Sequence, residues 1–515
     1  MRARLSARLC PRRSRIGPVA VDGPTAWLGV IGVIIAGFVV SLDTQVCSPI
    51  LGDIAAGTGV TLAEGSWVTT AYLIAEVAGL PLSPWLSKTF GVRRLMGGAT
   101  LCFLVASTGC GMAGHLAVII AWRAVQGLAG GIIFPCCFAV VRTHLPPAMH
   151  HRGLALFGFI LTVSPAVGPK LAGVVTGLGG WSWVFFLNWI PGLAVMAMVA
   201  RLAPAPIDWA ELGRRNPLSV VSLVGGLTLA VYCLEQGGRK AWFASADILL
   251  AACLAAVCGA VFCLSTDGKR RPLLELPGGV SRSTVMTWAL GAIQGGVQYG
   301  IFYVIPLFLI ENNGYDASRI GTVVIVSGIP QLVLYPVMPR LMRACPDRVL
   351  MAAGAAVMAI SCFINAGLTA ASDGMDFVLP QILRGIGYPL FAAPLSGMVT
   401  RQGTGEAAAN ASSIFVIIRT IAGAIMIVVL TGFLDAREHV HAERFNHADP
   451  VAVSRVVPPR TVRRDAVAAS FADSYRLFAW LLCASVLILI PSGRWGRRRR
   501  AVCVVPRPAN EGDPA

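Results

Sequence analysis

Long apolar runs separated by short polar or charged intervals repeat along this chain from about residue 26 to about residue 490. They centre near Ile35, Leu73, Phe103, Ile132, Phe159, Val195, Leu227, Leu254, Phe302, Ile325, Ala356, Pro389, Ile421 and Leu482. A run of about 20 apolar residues crosses a bilayer as a helix. Lipid offers the backbone no hydrogen bonds, so a spanning segment must satisfy its own. The pattern predicts an all-α polytopic membrane protein with about 14 transmembrane helices. One run departs from a plain span: Gly158 to Gly173 holds Pro165, Gly168, Pro169 and Lys170. Proline removes a backbone donor and kinks a helix, so this backbone needs shelter from neighbours or lines a cavity. That is the expected form of a moving part in a transporter.

Composition agrees: of 515 residues, 56% are hydrophobic and only 13% charged, more apolar than a soluble domain of this size requires. The net charge of +17 is concentrated in alternate loops. The N-terminal tail carries Arg2, Arg4, Arg8, Arg12, Arg13 and Arg15, and later intervals carry Lys88/Arg93/Arg94, Arg142/Arg152, Arg201/Arg214/Arg215, Lys269/Arg270/Arg271, Arg340/Arg343/Arg348 and Arg401. The C-terminal tail adds Arg494 and Arg497 to Arg500, while the intervening short loops hold almost no Lys or Arg beyond Arg239/Lys240. Positive charge gathers on the cytoplasmic side of membrane proteins. The expected placement is a multi-pass protein of the bacterial cytoplasmic (inner) membrane with both termini cytoplasmic. The basic charge is assigned to lipid headgroups, not to nucleic acid. The first apolar run is too long for a signal-peptide core and is read as retained.

The intervals divide the chain into a basic tail (1–25), an N-terminal six-helix half (26–203), an inserted two-helix segment with its linkers (204–280), a C-terminal six-helix half (281–493) and a basic tail (494–515). The C-terminal half is expected to include an exterior loop at about 435–473. The division is thus six plus two plus six. A faint internal echo supports two related halves: Trp122 to Gly127 leads to Pro135 in one span, and Leu383 to Gly387 leads to Pro394 in another. Parallel repeats are one construction of secondary transporters.

A charge at the bilayer centre costs on the order of 2.5–3.5 kcal/mol on insertion scales, so each one needs a reason. The intramembrane charges are Asp43, Glu76, Arg123, Lys170, Glu235, Arg384 and Arg419. Asp43 and Glu76 are candidates for proton or cation handling, because a desolvated carboxylate can hold a proton and release it when water or a cation arrives. The alternative for Asp43 is a fixed ion pair, for instance with Arg123. Arginine does not deprotonate, so Arg123 can only bias a neighbouring carboxylate, or else snorkel to the surface. Lys170 can neutralise a carboxylate, favour anionic substrates or snorkel, and snorkelling is the slightly preferred reading. Glu235 is read as structural, and Arg384 and Arg419 as interhelical pairs or donors to carbonyls.

Other chemistry is sparse. The 14 cysteines fall mostly within spans and have no zinc spacing, and His439, His441 and His447 are read as a solvated loop face. No metal or cofactor is expected, and the absence of a phosphate-binding loop disfavours an ATP-driven pump. No cluster of His, Asp or Glu suggests an enzyme.

Several motifs together resemble the major facilitator superfamily, in particular its fourteen-span drug:proton antiporters of EmrB/QacA type. They are Leu42-Asp43-Thr44-Gln45-Val46, Trp67 to Glu76 followed by Leu80-Pro81-Leu82, and Arg123/Gln126/Gly127. Pro165, Gly168, Pro169 and Gly173 match the antiporter motif, Trp181 to Asn188 follows it, and Ala407 to Ser413 leads to Arg419 to Gly423. The resemblance covers roughly residues 25–495. It implies proton-coupled export of toxic amphiphilic compounds, with Asp43, Glu76, Arg123, Gln126 and Lys170 at the coupling site or cavity. Gating would fall to Pro165, Gly168, Pro169 and Gly173. It also implies a periplasmic adaptor and an outer-membrane channel as partners where the host has two membranes, with the 435–473 segment as a docking surface. The alternative is a facilitator dedicated to one physiological solute. Two departures stand out. The loop motif at Lys88, Gly91, Arg93 and Arg94 has lysine where the family usually has aspartate, so its ionic latch must use another carboxylate. Lys170 occupies a position that is normally neutral.

Overall fold

Backbone that cannot bond to solvent closes its hydrogen bonds locally, and all regular structure among the described residues is helical. The computed structural model describes residues 24–47, 49–145, 149–240, 242–265, 273, 281–400, 406–448 and 459–489. The first half comprises α1 (Pro24–Cys47), α2 (Leu51–Thr58), α3 (Leu62–Gly65), α4 (Trp67–Gly79), α5 (Leu82–Phe90), α6 (Val92–Met112), α7 (Leu116–His144), α8 (His150–Gly179), α9 (Ser182–Phe186) and α10 (Trp189–Val199). A short α11 (Trp209–Arg214) leads to the pair α12 (Pro217–Gly237) and α13 (Ala246–Ser265). The second half comprises α14 (Arg282–Asn313), α15 (Ala317–Ile325), α16 (Gly328–Leu334), α17 (Met338–Ala344), α18 (Asp347–Asn365), α19 (Val378–Thr400), α20 (Glu406–Ala448) and α21 (Pro459–Leu489).

Among the described residues, 11 helices are long and apolar enough to cross a membrane. The count is 12 if α15–α16 and α17, bent by 58° at their break, form one span. The expected span around Leu73 is divided into α4 and α5 at Leu80–Pro81, where the ring takes away a donor. The span around Phe159 lies in α8, a helix of 30 residues that continues through Pro165 and Pro169.

The same pairings recur in each half. In the first, α1 packs on α8 and α10, and α6 on α7; in the second, α14 packs on α20 and α21, and α18 on α19. Small residues allow the closest approaches, as expected where lipid supplies no hydrophobic drive between helices. A Cβ on Gly131 of α7 would lie 2.0 Å from the Glu76 carbonyl oxygen of α4, and one on Gly127 would lie 2.2 Å from that of Tyr72. In the second half, a Cβ on Gly295 of α14 would lie 2.2 Å from the Arg419 carbonyl oxygen of α20. One apolar core runs through both halves, from Val30 to Leu489, and a smaller one gathers Leu42, Ile54, Ile119 and Phe185.

The inserted pair is peripheral. α13 packs on α12, and α12 lies against α4 of the first half and α20 of the second. The halves also meet directly where α8 packs on α15.

The segment 435–473, expected as an exterior loop, is largely helix. Residues 435–448 continue α20 and α21 begins at Pro459, with 449–458 outside the described residues. Asp473 explains the extension. Its carboxylate accepts from Arg437 Nε at 2.6 Å, lies 2.9 Å from His441 Nε2, and accepts from Arg476 Nη1 at 2.6 Å. That knot holds the two helices together beyond their apolar lengths, and His441 belongs to it instead of to a solvated loop face.

Candidate functional site

The buried polar centre of the first half is built around Asp43 on α1. Its side chain is 2% exposed and that of Arg123 on α7 is 1% exposed, and their atoms meet at 2.5 Å. Arg123 Nη1 also donates to Gln126 Oε1 at 2.8 Å. The other carboxylate oxygen of Asp43 accepts from Gln126 Nε2 at 3.1 Å and from Asn188 Nδ2 at 2.8 Å. Asn188, between α9 and α10, donates as well to Ser107 Oγ of α6 at 2.9 Å. Arg123 Nε donates to the Val68 carbonyl at 3.2 Å, and its guanidinium lies 4.2 Å from the centroid of the Tyr72 ring. The i,i+3 spacing of Arg123 and Gln126 puts both on one face of α7, opposite Asp43. The network thus joins α1, α4, α6, α7 and the α9–α10 turn.

This arrangement matches the alternative weighed for Asp43, a fixed ion pair, and Arg123 does not snorkel. Removing one member of a buried pair leaves an uncompensated charge and costs about 3–5 kcal/mol. Glu76 differs. It lies one turn beyond Tyr72 on α4, half-buried, and makes no hydrogen bond or ion pair among the described residues. It remains within electrostatic reach of Arg123 and Asp43. From the opposite half, Tyr299 of α14 lies within reach of both Glu76 and Arg419. Glu76 is therefore an intramembrane carboxylate that stands outside the Asp43–Arg123 hydrogen-bond network.

Lys170 does not snorkel. Its Nζ donates to Ser318 Oγ of α15 at 2.7 Å, across the junction between halves. The antiporter motif surrounds this crossing. A Cβ on Gly168 would lie 2.8 Å from Gln45 Cβ of α1, and one on Gly173 would lie 3.7 Å from Ser318 Cβ. Pro165 is buried in the same helix and Pro169 half-buried. In the second half Arg384 is 3% exposed, donating to Gln381 Oε1 and Ser327 Oγ at 2.8 Å each, with Phe302 4.7 Å beneath it. It is the positional echo of Arg123 with no carboxylate in ion-pair range among the described residues. Arg419 Nε is buried and has no hydrogen-bond partner among the described residues. Glu235 lies within electrostatic reach of Arg239, and its neighbour Gln236 donates to Thr70 Oγ1 at 3.5 Å, tying α12 to α4.

The loop motif reveals a residue that sequence reasoning missed. Lys88 on α5 lies 3.2 Å from the carboxylate of Glu211 on α11, whose side chain is fully buried. The charge inversion at Lys88 was the available signal, but the partner is 123 positions away. The described residues contain no group of three or more His, Cys, Asp or Glu side chains placed to hold a metal, and no disulfide joins the described cysteines.

A family model described as Major Facilitator Superfamily matches residues 33–427. The chain is similar to the "Colistin resistance protein EmrB" of Acinetobacter baumannii, 29% identical over 82% of this chain and 83% of that one. It is 28% identical to the "Multidrug export protein EmrB" of Escherichia coli strain K12, over 82% of each. It is 27% identical to the "Fatty acid resistance protein FarB" of Neisseria gonorrhoeae, over 83% of this chain and 85% of that one. Among solved structures, the proton:xylose symporter XylE bound to 6-bromo-6-deoxy-D-glucose superposes with a TM-score of 0.60 at 12% identity, over 90% and 95% of the two chains. The human organic anion transporter MFSD10 (TETRAN) does so with a TM-score of 0.55 at 12% identity, over 91% and 100%. At that identity the likeness concerns the fold.

Proposed function

The chain belongs to the Major Facilitator Superfamily, and from that premise we propose that it is a proton-driven exporter of toxic amphiphilic compounds. The relatives named as multidrug, colistin and fatty acid resistance proteins support the export of such compounds. They also support a transporter over an enzyme. The repeated helix pairings of the two halves support the six-plus-two-plus-six plan, with α12 and α13 as the inserted pair. The charge pattern of the loops supports an inner-membrane placement with cytoplasmic termini.

The observation that carries the coupling proposal is the division of labour between two carboxylates. Asp43 is saturated by Arg123, Gln126 and Asn188, whereas Glu76 makes no hydrogen bond or ion pair among the described residues and has Tyr299 of the second half within electrostatic reach. Glu76 is then the proton carrier, and the Asp43–Arg123 network is the fixed charge against which it titrates. One proton moving down about 100 mV releases roughly 2.3 kcal/mol, enough for a roughly forty-fold substrate gradient before any pH difference is added.

The test is substrate-induced proton release from inverted vesicles, read with hydrophobic dyes and long-chain fatty acids. Glu76→Gln is expected to abolish proton release while retaining substrate binding. Release preserved in Glu76→Gln but lost in a folded Asp43→Asn variant would return the coupling site to Asp43. The paired extension of α20 and α21 is the surface we assign to an adaptor protein, with an outer-membrane channel beyond it. At about 1.5 Å per residue, the 43 residues of α20 reach well past a bilayer core of about 30 Å.

A further inference from the structure

The first-half loop motif and the linker to the inserted pair are fastened to each other at every turn of the linker. Gly91, with φ +78°, takes a backbone conformation that favours glycine, and a Cβ there would lie 2.9 Å from Ala205 Cβ. Arg94 Nη1 donates to the Ala205 carbonyl at 2.6 Å and Arg93 Nη1 to that of Leu202 at 3.4 Å. The Asp208 N–H donates to the Thr89 carbonyl at 2.9 Å, and Phe90 meets Trp209 edge to face at 6.2 Å. Asp208 then caps α11 by accepting from the Glu211 N–H at 3.2 Å.

At the centre is Glu211, a fully buried carboxylate among three bases. One oxygen lies 3.2 Å from Lys88 Nζ and 3.0 Å from Arg215 Nη2, and it accepts from Arg215 Nε at 3.1 Å. The other faces Arg214 Nη1 at 3.6 Å. That second oxygen makes no hydrogen bond among the described residues, so the cost of burying the carboxylate is offset through Oε1, on which Lys88 and Arg215 converge. The location is mechanical. α5, which carries Lys88, also packs on α20 of the opposite half, and α11 leads directly into α12, which packs on α20 as well.

We propose that Glu211 is the acid of this chain's ionic latch, with the polarity inverted: the base stands on the loop and the acid on the linker. Lys88–Glu211 couples α5 to the inserted pair, so both leave or rejoin α20 as one body when the halves rearrange. Glu211 is a positioning residue. It contacts no substrate and acts through where α5 is held. This inference rests on the exporter reading for its transport readout only.

Two measurements test it on the full-length protein in liposomes. Glu211→Gln is expected to lower substrate turnover per folded molecule at least five-fold, with the half-saturating concentration within two-fold of the parent. Adding Lys88→Glu places an acid on α5 facing the two remaining bases, Arg214 and Arg215 of the linker, so the Lys88→Glu/Glu211→Gln protein is expected to regain turnover to within two-fold. Spin labels at Gly98→Cys of the first half and Val349→Cys of the second, both exposed, report the spread of distances between halves. Glu211→Gln is expected to change that distribution and the double variant to return it. Parental turnover with an unchanged distribution in folded Glu211→Gln overturns the proposal. So does a double variant no better than Glu211→Gln alone. The distance readout needs no substrate, so it separates failure of the latch from failure of the exporter reading.

Discussion

Asp43 and Arg123 show how a single buried pair organises a region. The Val68 carbonyl of α4, Gln126 of α7 and Asn188 of the α9–α10 turn converge on them, and Asn188 passes the contact on to Ser107 of α6, so a change at either is felt by α1, α4, α6 and α7 together. Arg123→Ala leaves a carboxylate in a dry, low-dielectric centre, and about 3–5 kcal/mol is the expected loss. The purified protein should unfold at a markedly lower temperature in detergent. Asp43→Asn combined with Arg123→Gln removes both charges and keeps amide partners for Gln126 and Asn188, so it should recover most of that loss. A double variant as unstable as Arg123→Ala would mean that shape, not charge balance, sets the stability here. Both members of this pair were legible in the sequence, because an intramembrane charge demands a partner and only a few were present. Glu211 was not legible. It lies in a polar linker where a glutamate is unremarkable, and only the folded chain brings it to Lys88.

Between helices, glycine sets the distances on which the charge network depends. Gly127 and Gly131 let the backbone of α7 touch that of α4, which brings Arg123 over Tyr72 and keeps Glu76 one turn away. Gly131→Val inserts atoms where the Glu76 carbonyl stands, and a carbonyl cannot swing aside as a side chain can. Overpacking of this kind costs about 1–3 kcal/mol or more. Transport should fall more than ten-fold, while Gly98→Ala, whose added Cβ meets nothing within 4 Å, should transport normally. Equal activity of the two variants would show that α4 and α7 have slack. The apolar runs announced most spans because span length is a property of the local sequence. Their ends were harder to read: Leu80–Pro81 divides a run that is continuous in hydropathy. The 435–473 stretch looked like a loop because its helix pairing runs through polar side chains, Arg437 and His441 meeting Asp473, which hydropathy does not register.

For the whole molecule, the decisive contact is between α8 and α15, where the halves meet through backbone as well as side chains. A Cβ on Gly321 would lie 2.7 Å from the Lys170 backbone nitrogen, and Lys170 itself reaches Ser318. A carrier that opens alternately to each side must separate its halves at such a junction during the cycle. The geometry offers a reversible lock, because a Cβ on Gly173 would lie 3.7 Å from Ser318 Cβ, within the range of about 3.5–4.5 Å that a disulfide spans. In a background free of exposed cysteines, Gly173→Cys/Ser318→Cys should form this bond on mild oxidation. Substrate efflux should then fall at least ten-fold and return on reduction. In each single variant efflux should not respond to oxidation and reduction, which isolates the cross-link from the substitutions. Efflux that continues in the fully oxidised protein would mean that α8 and α15 move as one body, and that the halves part elsewhere, at α5 and α20.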